Sequence, residues 1–334
     1  MVPLHKPLHE QSNPDERPQP HLQMVDGGME TISIVARRNP FLMPLLRGLI
    51  NFLPAGLPMW IYTTLLKPAP LRNLANSLLL KAIPERVTLN GVVVVLNSKD
   101  PVVSSALSLG IYESYETKLI AQYVKPGMQV LDVGANVGYY TALLAKQVGA
   151  EGHVTAFEPE PGNYNVLCQT VRANDFHNVK TIQGAVSAES GESFLFLSEH
   201  NQGDHRLYAT KGRGSISVPI VSIDTCLPEN TILDFVKMDI QGSEGLALQG
   251  MQETLRRSPQ VSLLTEFWPD GLLQAGTSPV DFLEMLGDNL GFSIWEVDEK
   301  QEKIVPVTDF AGLISRNPGR AYTNLLCMRK EIYE

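Results

Sequence analysis

The chain has 334 residues, 43% of them hydrophobic and 19% charged, enough apolar material for one large folded domain with appendages. Its formal net charge of −9 argues against a partner bound through a nucleic-acid backbone. Cys168, Cys226 and Cys327 lie far apart without metal-ligand spacing, which points to free thiols in a reducing cytoplasm.

Residues 1–30 are rich in proline, histidine and polar groups, lack the apolar core of a secretory signal, and predict a disordered tail. Residues 31–110 read as an N-terminal extension. Short helices punctuated by prolines run to about residue 84, and VTLNGVVVVLN then forms a β-hairpin turning at Asn90-Gly91. Inside this extension GLINFLPAGLPMWIYTTLL, residues 48–66, carries no charge over nineteen positions, a length that spans a bilayer. Pro54 and Pro58 break a helix in its middle. Residues 42–66 therefore read as helices packed on the main domain or at a homodimer contact. Docking on a membrane surface, which makes the protein peripheral to the membrane, is the alternative reading.

The main domain occupies residues 111–334. A helix over 113–124 opens it, and strands then alternate with helices: strands at 129–132, 153–158, 179–183, 235–239 and 261–266, helices at 139–148, 161–174 and 243–257. This βα alternation predicts a Rossmann-like, doubly wound α/β fold with helices on both faces of a mostly parallel sheet. Two more strands follow at 292–297 and 321–328. Between residues 192 and 223 the alternation gives way to two β-like runs around a polar loop holding Asn201, Gly203, Asp204, His205 and Arg206. Inserted loops at the carboxyl edge of such a sheet are where substrates are read.

The segment VLDVGANVGYYT, residues 130–141, says most about function. A buried strand stops at Asp132, turns through Gly134, Ala135, Asn136 and Gly138, and enters a helix. The glycines are expected to let a ligand approach the backbone, and the amides at the helix start favour an anionic group. HVTAFEPEP then supplies a second strand ending at Glu158, placed to accept hydrogen bonds from both hydroxyls of a ribose. A dinucleotide fingerprint prefers glycine where Asn136 stands. Asn136 suits a carboxylate and Asp132 an ammonium, so the set matches S-adenosylmethionine, which carries both groups and no phosphate. On this reading Asp132, Gly134, Ala135, Asn136 and Gly138 surround the methionine end and Thr141 binds its carboxylate. Glu158 takes the ribose, while Pro159, Gly184, Ala185 and Val186 flank the adenine.

DVGANVGYYT, the later VKMDIQGSE (residues 236–244) and the lead-in LSLGIYESYETKLI resemble the FkbM family of S-adenosylmethionine-dependent methyltransferases over roughly residues 102–329. The resemblance implies a class I methyltransferase sheet whose last strand is antiparallel, and it implies that Tyr112 and Glu116 close over the donor. The family often has DVEGAE where this chain has Asp239-Ile240-Gln241-Gly242-Ser243-Glu244, so its middle acid is replaced by Gln241.

Methyl transfer is an in-line displacement in which positioning supplies roughly 7–11 kcal/mol of the barrier. A hydroxyl acceptor also needs a base, which adds about 10²- to 10⁴-fold. Asp239, at a strand end, is the first candidate, with capping of the next helix as its structural alternative. Glu266 ends the following strand. His205 in the GDHR loop is the other potential base. Arg206 is expected to orient an anionic or sugar-like acceptor, and Glu244 either to bind substrate or to stabilise its helix start. Asp239, Glu266 and His205 have no spacing that supports a metal site, and none is expected. The chain thus reads as an O-methyltransferase of a small molecule or sugar. N-methylation, a nicotinamide-dependent oxidoreductase and a non-catalytic scaffold are the rivals.

Overall fold

The apolar runs pair into one eight-stranded sheet in a computed structural model, which describes residues 70–71, 83–110, 114–199 and 201–329. A hairpin of β1 (Arg86–Leu89) and β2 (Val92–Val95) comes first, with Asn90 and Gly91 in the left-handed region that its tight turn requires. Helices α1 (Val103–Leu109) and α2 (Ser114–Tyr123) lead into β3 (Gln129–Val133), α3 (Tyr139–Val148), β4 (His153–Phe157), α4 (Pro161–Ala173) and β5 (Val179–Ile182). The interruption follows as β6 (Ala185–Val186), β7 (Gly191–Phe196), β8 (Ser215–Val221) and the single turn α5 (Ile223–Cys226). Alternation resumes with β9 (Phe235–Met238), α6 (Glu244–Gln249), α7 (Gln252–Arg256) and β10 (Ser262–Phe267). Helices α8 (Pro269–Gln274) and α9 (Pro279–Glu284), a π-turn (Met285–Asn289), β11 (Phe292–Asp298), β12 (Lys303–Pro306), α10 (Phe310–Arg316) and β13 (Thr323–Arg329) complete the described chain.

The sheet order is β12-β11-β13-β10-β9-β3-β4-β5. Strands β3, β4, β5, β9 and β10 are parallel, and β13 runs antiparallel to both of its neighbours. This is the Rossmann-like class I methyltransferase arrangement, and β12 is an added edge strand that no sequence pattern announced. Strand order reverses between β3 and β9, which opens a crevice at their carboxyl ends. Side chains alternate across the sheet: Val130 and Phe235 pack with α3 and the hairpin, while Leu131, Val133, Val236 and Met238 pack on the other side. Asp132 and Lys237, register partners on β3 and β9, share the α3 side.

The hairpin is held by side chains of α4 and its cap. Asn174 Oδ1 accepts from the Val93 amide at 2.8 Å, and Thr170 Oγ1 accepts from Val95 at 3.1 Å. Strands β6, β8 and β7 form a small separate sheet that carries the polar loop. Cys168, Cys226 and Cys327 are free thiols. Residues 1–69, with the expected tail and the 42–66 segment, lie outside the described residues. Among the described residues no helix is long and apolar enough to cross a membrane.

The single helix expected over 243–257 is two helices, α6 and α7, broken at Gly250. The Gly250 carbonyl turns aside to accept from Ser222 Oγ and the Asp224 amide, both at 2.9 Å. A Cβ on Gly250 would lie 2.0 Å from the Ser187 carbonyl oxygen. Gly250→Ala is therefore expected to destabilise the protein by about 1–3 kcal/mol in denaturant unfolding, the usual cost of overpacking. Gly191→Ala, where nothing lies within 4 Å, serves as a control and is expected to stay within about 1 kcal/mol of the parent.

Candidate functional site

After β3 the chain turns through Gly134 (φ 88°), Asn136 (φ 49°) and Gly138 (φ 86°). A Cβ on Gly134 would lie 2.0 Å from the Asp239 carbonyl oxygen, and one on Gly138 2.7 Å from Leu167 Cδ1. Backbone handedness and the chain's own neighbours demand these glycines, and Gly134 also borders both cavities of the site. Glu158, at the end of β4, fastens the turn. Its Oε2 accepts from the Asn136 amide and its Oε1 from the Glu160 amide, each at 2.9 Å.

Two cavities meet at this turn. The first, about 530 Å³, is bordered by Gly134, Asn136, Glu158, Pro159, Gly184, Ala185 and Val186 and reaches Leu195, His205, Leu207, Asp239 and Gln241. The second, about 410 Å³, is bordered by Val103, Ala135, Tyr139, Tyr140, Lys237 and Asp239. Gly134, Asn136, Gly203 and Asp239 border both. The loop carrying Gly203 is strapped across them: Gln202 O accepts from Asn163 Nδ2 at 2.9 Å and from Asn136 Nδ2 at 3.3 Å.

Several expected ligand groups are occupied by the protein. Thr141 Oγ1 donates to Asp132 Oδ2 at 2.5 Å behind the turn, so Thr141 is not the carboxylate ligand it was expected to be. Glu116 is bound in the wall by Tyr140 OH at 3.3 Å and by the Asn324 amide, which corrects its expected place above the donor. Tyr112 lies outside the described residues. Asn136 Nδ2 donates to Gln202 O at 3.3 Å, which leaves its buried Oδ1 as the atom without a partner.

On the acceptor side, Asp239 Oδ1 accepts from Gln241 Nε2 at 2.9 Å, and Oδ2 lies 3.4 Å from Lys237 Nζ. Gln241 (φ 55°) also reaches both oxygens of Glu266, at 3.3 and 3.4 Å, so its amide ties the ends of β9 and β10. Asp239 caps no helix. Glu244, the first residue of α6, is fully buried and accepts from the Ile240 and Gly242 amides of the preceding turn at 2.9 and 3.2 Å. This fits the structural one of its two expected roles, and Glu244 borders neither cavity. His205 Nδ1 accepts from the Ser198 amide at 3.1 Å, which leaves the proton on a buried Nε2. Burial also lowers the His205 pKa. The lone pair a base needs is already engaged, so His205 offers a hydrogen-bond donor instead. Arg206 donates to Asp204 at 2.6 Å and stacks over Trp268 at 4.6 Å, bordering neither cavity. Among the described residues no three His, Cys, Asp or Glu are arranged to hold a metal ion. Sequence reasoning missed Lys237, whose signal was a charge inside the apolar run FVKM.

Residues 132–294 match the family model described as the methyltransferase FkbM domain. Over those residues, just under half of its length, the chain is similar to FkbM methyltransferase domains. Methyltransferase sdnD of Sordaria araneosa is 24% identical over 178 residues, which are 53% of this chain and 62% of that protein. Protein-L-isoaspartate O-methyltransferase 1 of Arabidopsis thaliana is 35% identical over 86 residues, 26% of this chain and 34% of that one. The chain thus spans less than two thirds of these curated relatives. Among solved structures, methyltransferase FkbM from Methylobacillus flagellatus aligns at 16% identity and a TM-score of 0.38, covering 77% of this chain and 59% of its own.

S-adenosylmethionine is the donor that this resemblance implies for the residues at the turn. Asn136 Oδ1 is a buried acceptor without a hydrogen-bond partner at the edge of both cavities and suits an ammonium, and His205 Nε2 is an unpartnered donor beside the first. Asp132, which borders neither cavity, adds its negative charge from behind the turn. Among the described residues no lysine or arginine borders the first cavity, a poor setting for the diphosphate of a nicotinamide cofactor. Burial pushes the Glu158 carboxyl up to about 8 and raises Glu244 and Asp132 as well, Lys237 opposing the last. The folded state therefore keeps protons that the unfolded chain releases above about pH 4.5. Stability contributed by these groups is complete below that pH and is lost as pH rises toward 8. The urea midpoint of the donor-free protein is expected to fall between pH 5 and pH 8.5. Glu158→Ala is expected to weaken S-adenosylmethionine binding at least tenfold in calorimetric titration.

Proposed function

We propose that the enzyme methylates a hydroxyl oxygen of a small molecule or sugar, with Asp239 as the general base. The observation that carries this reading is the Asp239 carboxylate itself, which borders both cavities while Gln241 and Lys237 hold it in place. Bound at the turn, S-adenosylmethionine supplies a methyl carbon activated by a sulfonium. Glu158 would receive the ribose hydroxyls, and Asp132 and Asn136 the ammonium. Pro159, Gly184, Ala185 and Val186 would enclose the adenine.

With the donor so fixed, the acceptor hydroxyl needs a proton acceptor at the carboxyl end of β9, and Asp239 stands there. Glu266, linked to Asp239 through the Gln241 amide, keeps the pair from separating. Oxygen rather than nitrogen as the acceptor atom is supported by the partial likeness to protein-L-isoaspartate O-methyltransferases from Arabidopsis thaliana and Triticum aestivum. The net charge of −9 speaks against nucleic acid as substrate, and three free thiols suit a reducing, cytoplasmic setting. We also read residues 111–334 as the catalytic domain and 31–110 as an extension, in line with a sheet that begins at Gln129 and ends at Arg329.

The test is incubation of the protein with methyl-labelled donor and cell extract, followed by mass identification of the labelled product. A labelled methyl ether is expected, and labelling only on nitrogen or only on a carboxylate would reverse the assignment. With that acceptor in hand, Asp239→Asn is expected to lower kcat by about 10²- to 10⁴-fold while donor affinity stays within about tenfold.

A further inference from the structure

Lys237 is the lysine among the buried residues described, 3% exposed in a strand whose other members, Phe235, Val236 and Met238, are apolar. Its side chain runs on the face of the sheet shared with Asp132 and ends 3.4 Å from Asp239 Oδ2. Nζ also lies 4.7 Å from the centroid of the Tyr140 ring. Packing does not account for an ammonium there. Burying one is costly, and a methionine of similar length would fill the same space at no such cost. What the charge does is electrostatic: it lies 3.4 Å from the Asp239 carboxylate, favours the charged form of its register partner Asp132, and borders the second cavity.

The reaction changes the charge of the molecule held at this place. The donor carries a sulfonium, and the product S-adenosylhomocysteine carries a neutral thioether. Carboxylates without a counter-charge would hold the cation tightly in the ground state, and a tighter ground state raises the barrier to transfer. We propose that Lys237 sets the discrimination between donor and product, its ammonium offsetting Asp132 and Asp239 so that the site does not overbind the cationic donor. The Tyr140 ring, with its negative face toward Nζ, keeps the ammonium on the cavity side of β9. The inference concerns the donor alone and does not depend on the acceptor or on which group is the base.

The test is calorimetric titration of the full chain with S-adenosylmethionine and, separately, with S-adenosylhomocysteine. The reading is the ratio of donor to product affinity. In Lys237→Met this ratio is expected to rise about tenfold, the scale of one unit charge several ångströms away in a partly buried site. Lys237→Arg should keep it within about twofold of the parent, and Asp239→Asn should lower it. Loss of a merely structural residue weakens both ligands alike, so an unchanged ratio in folded Lys237→Met overturns the proposal. Should Lys237→Met fail to fold, Asp239→Asn decides, because a parental ratio there means that the pair does not face the sulfur and overturns it equally. A parent protein that binds neither ligand overturns the donor assignment and this proposal together.

Discussion

The carboxylate of Glu158 holds two turns at once, and the rest of the site depends on it. One oxygen accepts the amide of Asn136 in the turn after β3, and the other accepts that of Glu160 in the turn after β4. Neither amide has a strand partner at that point, since both strands have ended. A buried acid is an expensive way to satisfy two donors, and burial lifts the Glu158 carboxyl to about 8. The arrangement makes sense where remaining lone pairs must stay available to a ligand, which an apolar plug could not provide. Asn136 is thereby locked in its left-handed conformation with Oδ1 facing the site.

Charge in this molecule is concentrated rather than dispersed. Asp132, Glu158, Asp239 and Glu266 gather at the carboxyl ends of three neighbouring strands, β3, β4 and β9, and of β10 beyond them. Two devices keep them from repelling one another. Gln241 places an amide between Asp239 and Glu266, where a carboxylate would have added a further negative charge. Lys237 places an ammonium beside Asp239 that also opposes the negative charge of Asp132. The departure at Gln241 from the acid usual in the family is thus a change from repulsion to cross-linking at the same backbone position.

The strands could be read from the sequence because their runs are short, apolar and bounded by glycine, proline or acid. Helix α3 was legible to the residue, at Tyr139–Val148. What escaped depends on partners distant in the chain. The break at Gly250 is imposed by Ser187 and Ser222, which no local periodicity records. Helices α8, α9 and α10 are too short to build a pattern, and β12 owes its pairing to β11 alone. At the site, the positions of Glu158, Gly184 and Asp239 were legible because strand ends announce them. What the sequence did not show for Thr141, Glu116, Glu244 and His205 is that each has a polar group engaged by another part of the protein. A single sequence shows which groups are capable of binding, and not which are already taken.

The hairpin borrows its outer edge. Val93 and Val95 give their amides to Asn174 and Thr170, 81 and 75 residues further along the chain. A ribosome delivers β1 and β2 well before α4, so the hairpin must wait with its edge amides in water until that helix arrives. Such distant closures come late in folding because the intervening loop has to be ordered first. The hairpin made first among the described strands is thus among the last to be secured, through β2.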